Sequence, residues 1–228
     1  LAGLNGRLRT LSKATGAPDG ALDLDSDVFF ASILPGGAYT SDPRVRYDRR
    51  TGRWLVLMIS VSLPNRFMLA VSAASTITGP MGWTLFHWDN TRRQGGVSGA
   101  ATCLADYPTL GVDEDALYIG VNQFCGADVN ALGFDSASVF VVNKAALVGG
   151  SLSVAQFDGV LASNTSDGVY TPQGVDNFDA NTNEGYVIGV DNRLFGKLVL
   201  HRIASPGAAP SISSAIGITV PATGFPID

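Results

Sequence analysis

Three aspartates stand beside predicted β-strands, where carboxylates could act together: Asp42, Asp106 and Asp176. Asp42 and Asp106 precede the first strands of two similar units, and Asp176 follows in a third. If those strands line one channel, these carboxylates could meet at its mouth. There they would serve glycoside hydrolysis or bind Ca²⁺. The alternative is that each aspartate caps a turn through its own backbone.

A second oxygen-rich segment alternates possible calcium ligands at Asp179, Asn181 and Asn183. Its glycine, Gly185, comes one place later than in a calcium loop, and the final acidic ligand is missing. Asp and Asn are also the residues that tight turns favour. The segment is therefore a calcium candidate with an ordinary hairpin turn as its alternative.

Two tryptophans, Trp83 and Trp88, are candidates for a ligand-stacking platform, most simply for a carbohydrate. Aromatic residues in such folds also pack between sheets. The two are separated by an odd number of positions, so within one regular strand they face opposite sides. We therefore expect at least one of them to be exposed or to lie at an interface between sheets.

The two cysteines, Cys103 and Cys125, are equidistant from Glu114, the centre of a predicted hairpin turn. Opposed positions in an antiparallel pair have Cβ atoms about 4.5–5.5 Å apart, close to disulfide geometry. The register predicts a disulfide and an oxidising compartment. The alternative is a pair of free buried thiols.

Motifs for catalysis are otherwise missing from the sequence. Only two histidines occur, His87 and His201, so there is no cluster of zinc ligands. There is no Gly-x-Ser-x-Gly elbow and no phosphate-binding Gly-x-x-x-x-Gly-Lys-Ser/Thr loop. We expect no cofactor apart from the Ca²⁺ candidate, and the balance is against an enzyme.

The elements that would position these residues form a repeat. Pro43, Pro108 and Pro172 open three similar stretches at spacings of 65 and 64 residues. Each stretch contains short apolar strands bounded by Gly, Pro, Asn or Asp, which predicts four-stranded units and an all-β propeller. A β-sandwich with accidental periodicity is the alternative.

The propeller interpretation divides the chain into about three and a half blades within one domain. The predicted units are a partial blade of outer strands at 1–40 and full blades at 41–104, 105–169 and 170–228. Since closed propellers have about 4–8 blades, we expect this chain to belong to a larger propeller or assembly. The edge near Arg7 to Leu11 is the expected place for strand addition by a partner.

Composition excludes several classes of partner. The 228 residues are 46% hydrophobic and 15% charged, with a net charge of −5. Scattered Lys and Arg argue against nucleic acid as a partner. No apolar run reaches the roughly 18 residues of a membrane helix.

The sequence resembles exported bacterial β-propeller proteins of poorly defined function. The resemblance rests on SDPRVRYDRRTGRW (41–54), DYPTLGVDEDALYIGVNQF (106–124) and SVFVVNKAALVGG (138–150). It implies a secreted or cell-surface protein. We therefore expect a non-catalytic extracellular binding or assembly module, with a protein, a second copy or a carbohydrate as partner. The alternative function is a glycoside hydrolase or lyase that uses the channel-mouth carboxylates.

Overall fold

The computed structural model describes residues 1–160, 169–191, 194–222 and 224. Within these residues the chain is all-β, with four antiparallel sheets that follow one another in sequence order. Helical structure in the described part is limited to two short α-helices and one 3-10 turn, Gln94–Gly96. The all-β prediction is confirmed.

The first sheet contains one more strand than the sequence indicated. Its strands, in spatial order, are β1 (Ala2–Leu4), β2 (Arg7–Leu11) and β3 (Pro18–Leu24). Because β1 pairs with β2 along the edge that we expected a partner to use, the prediction of strand addition at Arg7 to Leu11 is wrong. The partial unit at 1–40 is therefore more than a pair of outer strands.

The apolar pattern predicts an outer strand of the first unit near Ala21 to Phe30, but β3 ends at Leu24. Instead of continuing to Phe30, the chain forms a one-turn helix, α1 (Ser26–Phe29). Asp25 begins it, because its side chain accepts hydrogen bonds from the backbone N–H groups of Asp27 and Val28. The helix turns Phe29 and Phe30 into the core between the first and second sheets.

The second sheet is a four-stranded meander. Its strands are β4 (Tyr39–Asp48), β5 (Arg53–Val61), β6 (Arg66–Ser72) and β7 (Trp83–Asp89). Strand β5 is apolar without alternation because both of its faces are covered. Val56 and Met58 pack towards the first sheet, whereas Leu55, Leu57 and Ile59 pack towards the third.

The third sheet is likewise covered on both faces. Its strands are β8 (Cys103–Asp106), β9 (Gly111–Val112), β10 (Ala116–Cys125), β11 (Gly133–Asn143) and β12 (Val154–Asp158). The stretch NKAALVGG (143–150) suits one helical turn that ends at Gly149, and the helix α2 (Lys144–Val148) follows β11 at this place.

The fourth sheet completes the described part of the chain. Its strands are β13 (Val169–Gly174), β14 (Glu184–Asp191), β15 (Lys197–Ala204), β16 (Ser211–Ile212) and β17 (Ile216–Thr219). The sequence predicts one outer strand near Ile212 to Val220, whereas the structure divides it into β16 and β17, which both pair with β15.

The core consists of three apolar layers, each between two successive sheets. In the second and third sheets, one face contacts the previous sheet and the opposite face contacts the next. The stack is therefore directional, and it contains four sheets instead of the two of a sandwich.

The three prolines occupy matching local positions. The residue before each proline has a left-handed backbone, with φ of 54° at Asp42, 51° at Tyr107 and 49° at Thr171. In the second and fourth sheets the register of the first strand shifts at this place. Each proline therefore marks a distortion in the first strand of its sheet, as the repeat predicts.

Candidate functional site

Adjacent sheets are joined by a hydrogen bond that repeats along the stack. The residue after each proline supplies the donor: Arg44 Nε lies 2.6 Å from Pro108 O, and Thr109 Oγ1 lies 2.8 Å from Pro172 O. In the fourth sheet the matching residue is Gln173, whose side-chain amide donates to Thr171 O in its own strand.

In each of these three sheets, one residue of the second strand lies opposite the residue that follows the proline. Leu57 pairs with Arg44, Gly120 accepts from Thr109 N, and Ile188 pairs with Gln173. Leu57 packs in the layer between the second and third sheets. Gly120 approaches the fourth sheet so closely that an added Cβ would lie 2.0 Å from Pro172 O. Ile188 is the equivalent residue in the fourth sheet, and it lies on the face of that sheet that no described sheet covers.

We call this uncovered surface of the fourth sheet the open face. It contains two tyrosines, a glutamine and three aliphatic residues on β13, β14 and β15, and its members are Tyr170, Gln173, Tyr186, Ile188, Val190 and Leu198. Tyr170 is 36% exposed and Val190 is 46% exposed. A groove of about 420 Å³ runs between the side chains. Apolar groups at equivalent positions in the second and third sheets lie in the core.

A buried ion pair joins the second and third sheets. Lys144 Nζ lies 3.2 Å from Asp48 Oδ2, with the two side chains only 6% and 3% exposed. The same ammonium donates to Asp113 O, and Asp113 Oδ2 accepts from Tyr118 Oη at 2.5 Å. Burial, followed by the Asp113 hydrogen bond, raises the pKa of Tyr118 far above its ordinary value. The phenol therefore stays protonated and structural.

Asp42 and Asp106 come together as the sequence suggested. Burial, followed by the nearby Asp42 carboxylate, raises the pKa of Asp106. Glycosidases need carboxyl separations of about 5–5.5 Å or 6.5–9.5 Å, and the glycoside-enzyme alternative stays a prediction.

Asp176 is held by other partners. Its Oδ1 accepts from Val112 N at 3.0 Å, and its Oδ2 lies 3.4 Å from Arg46 Nε. It links the third and fourth sheets beyond the end of β13. Asp176 therefore contacts Val112 and Arg46, which are not members of the Asp42–Asp106 pair.

The calcium candidates lie in a turn. Asp179 Oδ1 accepts from the backbone N–H of Asn181 at 2.9 Å and from its side-chain amide at 3.2 Å. Asn183 follows in the same loop. Among the described residues there is no group of three or more His, Cys, Asp or Glu that could hold a metal ion. Calcium binding at this loop stays a prediction.

Trp83 and Trp88 face opposite sides of the second sheet, as their spacing predicted. Trp83 packs edge-on against Phe29, with ring centroids 5.5 Å apart. Trp88 stacks on Phe67 at 4.9 Å, in the layer that also contains Phe140. Both rings therefore contribute to contacts between sheets, and a role in ligand stacking is untested.

The predicted disulfide is confirmed. Cys103 and Cys125 are bonded, and they are directly opposed in the pairing of β8 with β10. This bridge ties the first strand of the third sheet to the second.

Sequence reasoning missed a wide cleft of about 800 Å³ between the first, second and fourth sheets. Trp54, Tyr47 and Phe178 contribute aromatic surface to it, together with Arg49 and Asp19. The sequence predicts a core position for Trp54, because aromatic residues commonly pack between sheets. Instead, its ring lies 5.0 Å from Tyr47 and its N–H donates to Ser75 O at the surface. The strand pattern could not reveal this cleft, because residues far apart in the chain form it.

Comparisons with known proteins give limited matches. No protein-family model matches the chain, and no curated protein does. Two similar solved structures are a crystal structure of an ACO/RPE65 chimera, at 14% identity and a TM-score of 0.42, and a mutant of the Synechocystis apocarotenoid oxygenase, at 13% and 0.44. Each match covers 92% of this chain and 44% of the other. The chain thus spans less than half the length of those structures.

A last finding concerns membranes. None of the helices in the described ranges is long and apolar enough to cross a bilayer.

Proposed function

We propose that the four sheets are neighbouring blades of a β-propeller, and that the chain is a secreted, non-catalytic assembly module. The directional stack and the repeated proline positions support the propeller. The disulfide supports an oxidising, extracellular location.

The observation that carries the assembly role is the open face. In the second and third sheets, the surface at these positions packs against the next sheet. In the fourth sheet, Ile188 and Val190 occupy the same positions and face no described sheet. Exposed, contiguous apolar groups on a sheet face mark an interaction surface.

The occupant that we propose is a second copy of this chain, docked by its first sheet. The stack is directional, so the surface complementary to the open face is the far side of a preceding sheet. In the first sheet that side has Leu4 at 72% exposure and a groove of about 270 Å³ bordered by Arg7 and Arg9. Two copies of four sheets each fall within the 4–8 blades of known propellers.

The test is the solution mass of the 228-residue chain, measured by sedimentation equilibrium. We expect a dimer that Ile188→Glu converts to monomer, because a carboxylate would be buried in the contact. Val97→Glu is the matched control, since it adds the same charge to a loop residue that is 60% exposed. A wild-type monomer at high concentration would refute self-assembly.

A second variant distinguishes the proposed contact from a symmetric one. Leu4→Glu alters the first sheet, so it should dissociate a head-to-tail dimer. If two copies instead met through their open faces, Leu4→Glu would stay fully dimeric, and the head-to-tail arrangement would be wrong.

A further inference from the structure

An open pocket between the third and fourth sheets is lined by a buried histidine that the assembly role does not use. The cavity measures about 570 Å³ and lies between β12 on one side and β15 and β16 on the other. Its apolar wall includes Phe157, Val160 and Ile212. Its polar wall includes His201, which is 4% exposed.

The hydrogen bond made by His201 determines which of its nitrogens is protonated. Nδ1 lies 3.0 Å from Ser213 O, and a carbonyl oxygen only accepts. The neutral ring therefore has its proton on Nδ1, and Nε2 presents a lone pair. In the described structure Nε2 is buried and has no hydrogen-bond partner. A buried acceptor of this kind needs a donor.

The other polar groups of the cavity are also mainly acceptors. Asp158 offers a carboxylate that already accepts from Ser138 Oγ at 2.6 Å and from the Gln156 amide at 2.9 Å. These bonds fix the orientation of the carboxylate. They also occupy the Ser138 hydroxyl and the Gln156 amide, which could otherwise donate to a ligand. The Ser213 hydroxyl is occupied too, because it donates to Ser214 O. The described lining residues include no lysine or arginine.

We propose that this cavity binds a small organic ammonium: an N–H donor group attached to an apolar body. An ammonium has three donors and no acceptor, which matches the lone pair of His201 and the carboxylate of Asp158. A polyol would also need donors from the protein, and the Gln156 amide and the Ser213 hydroxyl already donate to Asp158 and to Ser214 O. The apolar body would contact Phe157, Val160 and Ile212.

The test is a titration with 2-phenylethylammonium, followed by the side-chain nitrogen resonances of His201 in nuclear magnetic resonance. The chain has two histidines, and His87, exposed on β7, is the internal control. In the free protein we expect the Nδ1-protonated tautomer. Addition of the amine should move the Nε2 resonance saturably and leave both resonances of His87 unchanged.

Three matched probes test whether the N–H donors of the ammonium are needed for binding. Ethylbenzene has the apolar body alone, 2-phenylethanol has a neutral hydroxyl, and the N,N,N-trimethyl ammonium has the charge without N–H. We expect each to bind more weakly than the primary ammonium by about tenfold or more, since losing a hydrogen bond to a buried acceptor costs about 1–3 kcal/mol. His201→Phe should weaken the amine by a similar factor.

Several results would overturn the proposal. An Nε2-protonated tautomer in the free protein would remove the acceptor. Equal affinity for ethylbenzene or for the trimethyl compound would show that the donor is irrelevant. A long-lived water at Nε2 that about 10 mM amine does not displace would assign the lone pair to solvent. All of these are measured on the wild-type chain, so the conclusion stands even if His201→Phe does not fold.

Discussion

Strands β10 and β14 hold the same place in successive sheets, and they differ in how their side chains are covered. Along β10 nine of ten residues are buried, whereas β14 alternates between buried and partly exposed residues. Strand β10 has a sheet on each side, and among the described residues β14 has a sheet on one side only. Strand position alone therefore does not decide burial, because the neighbouring sheets do.

The largest expected difference is in the stability lost when an ion pair is broken. One pair is buried between the second and third sheets, and the other is partly exposed on the fourth sheet. Lys144→Met should destabilise the fold by about 3–5 kcal/mol, because it leaves the buried Asp48 carboxylate unpaired. Arg202→Met breaks a pair with Glu184 on the fourth sheet, where the side chains are 51% and 27% exposed. That change should cost less than about 1 kcal/mol. Urea unfolding measures both.

The double variant Lys144→Met/Asp48→Asn is the control for this comparison. It removes the lone charge while keeping the side-chain oxygen that accepts from Arg50 N. It should recover most of the lost stability. Equal losses for Lys144→Met and Arg202→Met would mean that the contact between the second and third sheets is open to water.

The disulfide is a second interaction that should stabilise the third sheet relative to the fourth. Replacing both Cys103 and Cys125 by alanine should lower the free energy of unfolding by about 3 kcal/mol on the chain-entropy model, for a sequence separation of 22. Wild-type protein in reductant should match the double variant in denaturant unfolding. Unchanged stability in both would show that the bridge does not constrain the unfolded chain.

Gly120 and Ile188 occupy equivalent positions in the third and fourth sheets. Substitutions there compare a sheet face that is covered with one that is not. Gly120→Ala should cost about 1–3 kcal/mol, because the new methyl meets backbone atoms that cannot move aside; the added Cβ would lie 2.0 Å from Pro172 O. Ile188→Ala should cost less when measured at a concentration where the chain is monomeric. A larger loss at Ile188 would mean that the open face is covered within the monomer.

The smallest expected effect is the pH dependence at Asp106. Burial and Asp42 raise its pKa in the folded state, so the unfolded chain loses this proton at lower pH. Stability therefore falls as pH rises from the unfolded pKa, about 3.9, through the folded one. Asp106→Asn should raise the melting temperature slightly near neutral pH and leave it unchanged at about pH 3.

Asp89→Asn is the control of opposite sign. The hydrogen bond from Arg66 lowers the pKa of Asp89, so this carboxylate stabilises the fold above its unfolded pKa. Its replacement should lower the melting temperature near neutral pH. If Asp106→Asn behaved in the same way, the contact with Asp42 would be stabilising, contrary to our expectation.

Local patterns predicted most of the fold. The spacing of Pro43, Pro108 and Pro172 located three of the four sheets, and the symmetry of Cys103 and Cys125 about Glu114 predicted the disulfide. Strand β1 was missed because three residues are too short for a period of two to show. The end of β3 was misplaced because the Asp25 cap competes with an apolar run that also suits a strand.

The sequence by itself determined the strands, their order and the pairing within each sheet, because antiparallel hairpins join residues that are close in the chain. Only the tertiary structure decided which faces are covered and which side chains meet. The Asp42–Asp106 contact, the cavity around His201 and the open face all depend on how one sheet lies on the next. That packing joins residues tens of positions apart through non-directional apolar contact, which leaves no periodic signal in the chain.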